Sequence, residues 1–374
     1  MNKDVEELLS RGVTEVIERE NLEKKLQSGK KLRVQLGIDP TSPNIHIGRA
    51  IPLWKLRAFQ DLGHEVVFIV GDFTGLIGDT SDKDSERPML TPEQVKANME
   101  TYFEQAFKIL DKEKTETHYN SEWLSKLGFV EIAKLASLFG LHEFESREVI
   151  ARRLKEGKRV ALQELLYPIM QGYDSVAVKA DVELGGTDQR FNLLAGRVIQ
   201  PLYDQEPQDI LTTDLVEGTD GRKMSSSWGN VINLTDEPND MFGKVMSVND
   251  ELVKKYFVLC TRVPVEEVEE ILKLHPKVAK MRLAFEITKL YHGEEAAQKA
   301  EENFEETFSK GGVPEGTKTV TAQADEPLVD ILMKEGLVSS KTEFNRLEEA
   351  GAIKEIESGV YRIGKHRFLK IVRE

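Results

Sequence analysis

The stretch from Leu32 to Val70 constrains the fold more than any other part of the chain. A short apolar run, Leu32 to Ile38, leads into "GIDPTSPNIHIGR" (37–49), which opens an apolar-periodic segment reaching Leu62, followed by "EVVFIV" at 65–70. That order predicts a strand, a loop, a helix from about Ile47 to Leu62 and a second strand. Such a βαβ unit demands parallel pairing and a right-handed crossover, hence an α/β sheet. Gly63, just past the helix, is a common stop signal. A plain connection needs only about two to six residues and no particular chemistry. This one carries an Asp, a Thr, a His and a Gly where α/β sheets hold their ligands.

The theme returns. "DVELGGTDQRFNLLAGRVI" (181–199) predicts a short strand, a Gly-Gly turn and a helix capped by Thr187, and "QDILTTDLVEG" (208–218) predicts another strand. Thr91-Pro92-Glu93 starts a helix running to about Leu110, residues 121–172 read as mostly helical, and so do residues 1–30. Between 219 and 230, "TDGRKMSSSWGN" is a polar loop. Beyond about 235 the chain reads as amphipathic helices, then a Gly/Pro/Thr linker at 311–320, then two helices and short strands over about 325–374.

With 374 residues, the chain has room for two or three domains. No apolar run reaches the length of a membrane span, and Met1-Asn2-Lys3-Asp4 does not begin a signal peptide. The lone Cys260 rules out an internal disulfide framework and points to a reducing cytoplasm, and no His/Cys metal cluster is visible. A net charge of −14 disfavours nonspecific binding to nucleic acid. "YRIGKHRFLKIVRE" at the C-terminus, though, holds five Lys/Arg against one Glu. A solvated strand and a local RNA-contacting patch both fit that charge.

Two strand-to-helix junctions, at Ile47 and at about Asp188, offer backbone N–H groups suited to phosphate. His46 can donate to a phosphate oxygen, Gly48 lets a flat group approach the backbone, and Lys223 can fold over the same place. Singly, each has an ordinary reading: a His beside a helix start is usually a cap or a core residue, and a Lys in a polar loop is usually solvated.

In combination, the order His-Ile-Gly, Gly-Gly-Thr-Asp-Gln, Lys-Met-Ser-Ser-Ser resembles the class I aminoacyl-tRNA synthetases, with their HIGH and KMSKS signatures. "LGIDPTSPNIHIG" (36–48), "GDFTGLIGDTS" (71–81), "LLYPIMQGYDSVAVKADVELGGTDQRFNLLAG" (165–196) and "GRKMSSS" (221–227) are similar to the tyrosyl-tRNA synthetases of bacterial type, over nearly the whole chain. The resemblance implies a Rossmann-like parallel-sheet catalytic domain (1–230) with a helical insertion at about 110–180 forming a homodimer. A helical anticodon-binding domain (231–315) and a small α+β RNA-binding domain of S-four type (323–374) would follow. It further implies ATP as substrate with Mg2+ held mainly by its phosphates, tyrosine and its tRNA as partners, and a cytoplasmic enzyme of protein biosynthesis. Neither step of the family reaction needs a protein nucleophile.

Residue by residue, the resemblance implies that Asp39, Thr41, His46, Gly48, Gly186, Asp188 and Lys223 meet ATP, with His46, Lys223 and Arg49 as the catalytic group. Tyr167, Gln171 and Gln189 match residues holding tyrosine's amino and carboxylate groups, and Asp79 lies on the ammonium. Asp188 also matches a position near that ammonium. Asp174 matches the carboxylate that accepts from the tyrosine hydroxyl. The chain departs from the family at three points. Arg49 replaces the second signature histidine, Ser226 replaces the second signature lysine, and Gln35 stands nearest to a common hydroxyl-touching Tyr. In the tail, Ser340, Lys341, Asn345, Arg346, Lys365 and Arg367 would form a phosphate-facing patch. Two other readings stand beside this one: the tryptophan-specific sister enzyme, and a non-catalytic RNA-binding protein on a synthetase scaffold.

Overall fold

The computed structural model describes residues 3–79, 89–309, 317–323, 326–338, 340–349, 351–364 and 367–373. The chain forms two compact units, Met1–Asp236 with Val248–Leu274, and Glu237–Ser247 with His275–Glu374.

The first unit is built on six strands: β1 (Val13–Ile17), β2 (Arg33–Ile38), β3 (Glu65–Val70), β4 (Thr115–Tyr119), β5 (Val182–Gly186) and β6 (Asp209–Thr213), in the order β1-β6-β5-β2-β3-β4. All neighbours are parallel except β1 with β6. β3 and β6 are buried nearly end to end; β3 reads as an apolar run rather than an alternating one, as a parallel strand covered on both faces does, while β6 buries Asp209, Thr212 and Thr213 beside Ile210 and Leu211. From β2 the chain steps to β3 on one side, and from β5 to β6 on the other. The topological switch therefore falls between β2 and β5, and the loops leaving their carboxyl ends flank a crevice.

Several expectations change. Residues 1–30 are not continuous helix. Helix Lys3–Ser10 stops at Gly12, whose φ is +62°, and β1 follows before helix Arg19–Gln27. β1 is rich in β-branched residues (Val13, Thr14, Val16, Ile17), which fit a pleated surface better than a helix. The helix capped by Thr91 has the full capping box with Gln94 but ends at Met99. A short helix Tyr102–Ala106 and the polar edge strand β4 then occupy the region to Tyr119. Thr187 does not cap its helix. Gly186 is the N-cap of a 3-10 turn, Thr187–Gln189, which leads into helix Arg190–Ile199. Helices Val253–Cys260 and Val265–Ile271, expected with the helical domain, belong to the first unit. Arg11 ties the first of them down by donating to the carbonyls of Phe257, Val258 and Thr261.

The second unit contains helices Pro238–Ser247, Pro276–His292 and Glu294–Ser309, followed by a four-stranded sheet with helices Leu328–Lys334 and Lys341–Glu349. Its strands are β7 (Thr319–Ala322), β8 (Ile353–Glu357), β9 (Val360–Ile363) and β10 (Arg367–Arg373), in the order β7-β10-β9-β8. β7 takes over the end of the expected linker. A separate apolar core, including Ile331, Leu332, Phe344, Ile363 and Leu369, holds this sheet to its helices.

Candidate active site

At the switch point lies a cleft of about 380 Å³, lined from both strand ends and from the 219–230 loop. It brings together Asp39, Thr41, His46, Gly48, Arg49, Asp79, Tyr167, Gln171, Asp174, Gly186, Asp188, Gln189 and Lys223. Backbone pairing explains how segments so distant in sequence converge. Ile47 N–H donates to Ile232 O at 2.8 Å and Leu234 N–H to Ile45 O at 2.9 Å, so the chain leaving the 219–230 loop is stitched to the start of helix Ile47–Asp61.

One end of the cleft carries donors. His46 is the N-cap of that helix, and its Nδ1 accepts from Arg49 N–H at 3.3 Å. The ring proton therefore sits on Nε2. Burial, then the cations Arg49 and Lys223, depress the imidazole to about 3, so the ring is neutral. Two N–H groups of the helix start, at Ile47 and Arg49, are already engaged. Lys223 Nζ pairs with Asp188 Oδ2 at 2.9 Å. Arg49 lines the cleft, but its guanidinium braces the first loop. Nη1 donates to Asp39 O (3.1 Å) and Tyr102 Oη (2.9 Å), and Nη2 donates to Thr41 Oγ1 (2.7 Å). Ser226 meets Ser42 through their hydroxyls at 3.1 Å, tying the second signature loop to the first.

The glycines here leave little room for a side chain. A Cβ at Gly186 would lie 2.5 Å from Asp188 Oδ1, and one at Gly48 would lie 3.1 Å from His46 Nδ1.

The other end carries acceptors, linked in a continuous line. Asp174 accepts from Trp123 Nε1 at 2.7 Å and from Asn120 Nδ2 at 3.2 Å. Asn120 Nδ2 also donates to Thr74 Oγ1 (2.9 Å), Thr74 donates to Asp39 Oδ1 (2.8 Å), and Tyr167 Oη donates to Asp39 Oδ2 (2.8 Å). Nearby, Gln189 Nε2 donates to Asp79 Oδ2 at 2.7 Å. Burial drives Asp174 well above the usual carboxylate range against these two donors, and lifts Asp39 to about 6.

Gln35 does not line the cleft. It is 1% exposed and donates to Ser175 Oγ at 2.7 Å. The pleat explains this: Leu36 faces the cleft, so its neighbour faces away.

Sequence reasoning missed Asn120, Trp123 and Thr74, which complete the acceptor end, and Asn230, which organises the 219–230 loop. Asn230 donates to Asp220 Oδ1 and to the carbonyls of Arg222 and Lys223, and accepts from Ser225 N–H. No local signal marks Asn120, which lines the cleft, or Trp123, which meets it only through Asp174, because both follow β4 and are placed by its pairing with β3.

In the small sheet domain, Ser340 Oγ accepts from Glu343 N–H at 3.1 Å at the start of helix Lys341–Glu349, and Lys341 Nζ lies 3.4 Å from Asp330 Oδ1. Asn345 and Arg346 are exposed, and Arg367 donates to Leu337 O. Lys365 lies outside the described residues.

A family model for the class I tRNA synthetases of the W and Y type matches residues 27–309. The tyrosine–tRNA ligase of Thermotoga maritima is 46% identical over 97% of this chain and 96% of its own, and that of Aquifex aeolicus is 45% identical over 98% and 97%. Among solved structures, a C-terminally truncated mitochondrial tyrosyl-tRNA synthetase of Coccidioides posadasii superposes with a TM-score of 0.65 at 25% identity. The match covers 81% of this chain and 92% of that one. The tyrosyl-tRNA synthetase of Archaeoglobus fulgidus, solved with L-tyrosine, shares the fold with a TM-score of 0.64 over 80% of this chain and 100% of that one. With its parallel sheet, its switch-point cleft and both signature loops on that cleft, this chain belongs to the class I tRNA synthetases.

Proposed function

We propose that the chain is a tyrosine–tRNA ligase. The observation that carries this reading is one continuous cleft with neutral and cationic donors at one end, His46 and Lys223, and a buried carboxylate, Asp174, at the other. In the first step a carboxylate oxygen of tyrosine attacks the α-phosphorus of ATP. The bond to the bridging oxygen of the β-phosphate breaks, giving tyrosyl-adenylate and pyrophosphate. A ribose hydroxyl at the tRNA 3′ end then attacks the acyl carbon and AMP departs. Catalysis is positioning plus stabilisation of charge on the leaving phosphates. His46 Nε2–H and Lys223 serve those phosphates. Thr41, Gly48, Gly186 and Asp188 border the nucleotide. Asp79, Tyr167, Gln171 and Gln189 hold the amino-acid end, and Asp39 anchors Tyr167. Asp174 accepts from the substrate hydroxyl, with Trp123 and Asn120 aiming it. Phenylalanine offers that buried carboxylate no hydroxyl and leaves it only Trp123 and Asn120, which disfavours phenylalanine, an effect for which tyrosyl-tRNA synthetases are the standard example.

Mg2+ would arrive with ATP, held mainly by its phosphates. Four apolar side chains in the 110–180 insertion lie largely open on the single chain: Phe129 at 88%, Leu162 at 75%, Val130 at 71% and Leu141 at 60%. That exposure supports a homodimer formed through this face. The helices of the second unit would read the anticodon, and Lys341, Asn345, Arg346 and Arg367 would meet tRNA phosphates. A cytoplasmic location accords with that substrate.

Amino-acid-dependent ATP–pyrophosphate exchange, run with tyrosine and with tryptophan, tests the reading. Tyrosine alone should support exchange. Exchange with tryptophan alone would identify the sister specificity, and exchange with neither would leave an RNA-binding scaffold.

A further inference from the structure

Behind the cleft, out of contact with it, lies a buried carboxylate to which nothing above assigns a role. Glu183 on β5 stands opposite Gln35 on β2 in the sheet register, and both turn to the same face, away from Leu36 and Leu184, which line the cleft. Glu183 is 2% exposed. Its Oε1 accepts from Gln171 Nε2 at 3.1 Å. Its Oε2 accepts from Ser175 Oγ at 3.2 Å and from Gln208 Nε2, and Ser175 in turn accepts from Gln35. The donors are neutral. Burial lifts this carboxyl to about 7 despite them. An amide or an apolar side chain would fill the same space at lower cost, since a buried carboxylate without a cation is destabilising. An ionised carboxylate, unlike an amide, only accepts hydrogen bonds. It therefore decides which end of every carboxamide touching it points inward. Of the two carboxamides on Glu183, one lines the cleft: Gln171.

We propose that Glu183 is a positioning residue for amino-acid recognition. By taking the Gln171 amino group, it turns the Gln171 carbonyl oxygen toward the cleft as an acceptor for the substrate's α-ammonium. An ammonium group donates only, so a flipped carboxamide would present it with a second donor. When Glu183 is ionised, the polarised line from carboxylate to amide to ammonium also places a negative charge behind the acceptor, which strengthens it. This inference rests on the reading of the cleft as a tyrosine site.

The test compares the unmodified enzyme with Glu183→Gln in tyrosine-dependent pyrophosphate exchange, and in competition by desaminotyrosine, which is tyrosine without its amino group. Glutamine at 183 can meet either end of Gln171, so the orientation is no longer imposed. The KM for tyrosine should rise about tenfold, the scale of a hydrogen bond to a charged group, while the KM for ATP and kcat stay within about twofold. Inhibition by desaminotyrosine should stay within about twofold as well, because that ligand has no ammonium to lose. Glu183→Asp, which draws the carboxylate back from Gln171 by one methylene, should reproduce the selective loss and covers the case in which the glutamine variant does not fold. Equal weakening of both ligands, or of neither, would overturn the proposal in favour of a purely structural carboxylate. If tyrosine drove no exchange in the unmodified enzyme, the reading of the cleft itself would fail, a result separate from either of these.

Discussion

His46 uses its two ring nitrogens differently: Nδ1 caps helix Ile47–Asp61, and Nε2–H is left to donate into the cleft. Asn keeps a good cap but not that second donor. His46→Asn should therefore lower kcat for pyrophosphate exchange about 100-fold, close to 2.7 kcal/mol, while leaving thermal stability nearly unchanged. With the imidazole held at about 3, the exchange profile should show no limb near the ordinary histidine value. Glu183 makes the opposite contribution. Its carboxyl is raised from 4.5 to about 7, so the folded chain binds the proton more tightly than the unfolded chain does. Its contribution to stability is fully present below about 4.5 and is lost as pH rises through about 7, a swing on the order of 3 kcal/mol. Urea unfolding at intervals from pH 5 to 8 should show Glu183→Gln declining less steeply than the unmodified protein. Weaker substrate binding together with better stability at high pH would mark a residue kept for function.

The 219–230 loop has little regular structure, a single antiparallel bridge from Lys223 to Glu217 and a short 3-10 turn at Ser226–Trp228. Its shape comes from Asn230, 3% exposed, which makes four hydrogen bonds to the loop, and from the Ser42–Ser226 contact. Asn230→Ala leaves those carbonyls and N–H groups to water and should raise the KM for ATP about tenfold with little change in that for tyrosine, read by exchange kinetics. The elements around the loop differ in how plainly they could be foreseen. Helix Ile47–Asp61 and strands β2, β3, β5 and β6 follow directly from hydrophobic period. β1 and β4 do not, because both are edge strands, five residues long and partly polar. They pair through tertiary contact rather than local preference.

The whole molecule carries a charge of −14, yet Lys341, Arg346 and Arg367 gather on one small domain, so attraction for an RNA phosphate backbone must be local. The double charge reversal Lys341→Glu, Arg346→Glu should raise the KM for tRNA about tenfold in aminoacylation and leave pyrophosphate exchange unaltered. The proposed homodimer would cover the exposed Phe129–Val130 pair. Phe129→Asp with Val130→Asp should halve the mass seen by sedimentation equilibrium, since charges at the centre of an apolar interface are not tolerated.

The amino-acid order alone determined the α/β class and the switch-point ligand site, because these follow from short-range pattern, whereas most of the thirteen residues that line the cleft were named through the resemblance of the motifs to a family. Gln35 was misassigned because one step along a strand moves a side chain to the opposite face, and alignment by motif does not register that step. Asn120 and Trp123 were invisible for another reason: both act on Asp174, 54 and 51 residues away in the chain, and only tertiary packing brings donor to acceptor. Asn230 and the buried Glu183 have nearer partners, within their own loop and on the neighbouring helix, but no local pattern shows which way their side chains turn.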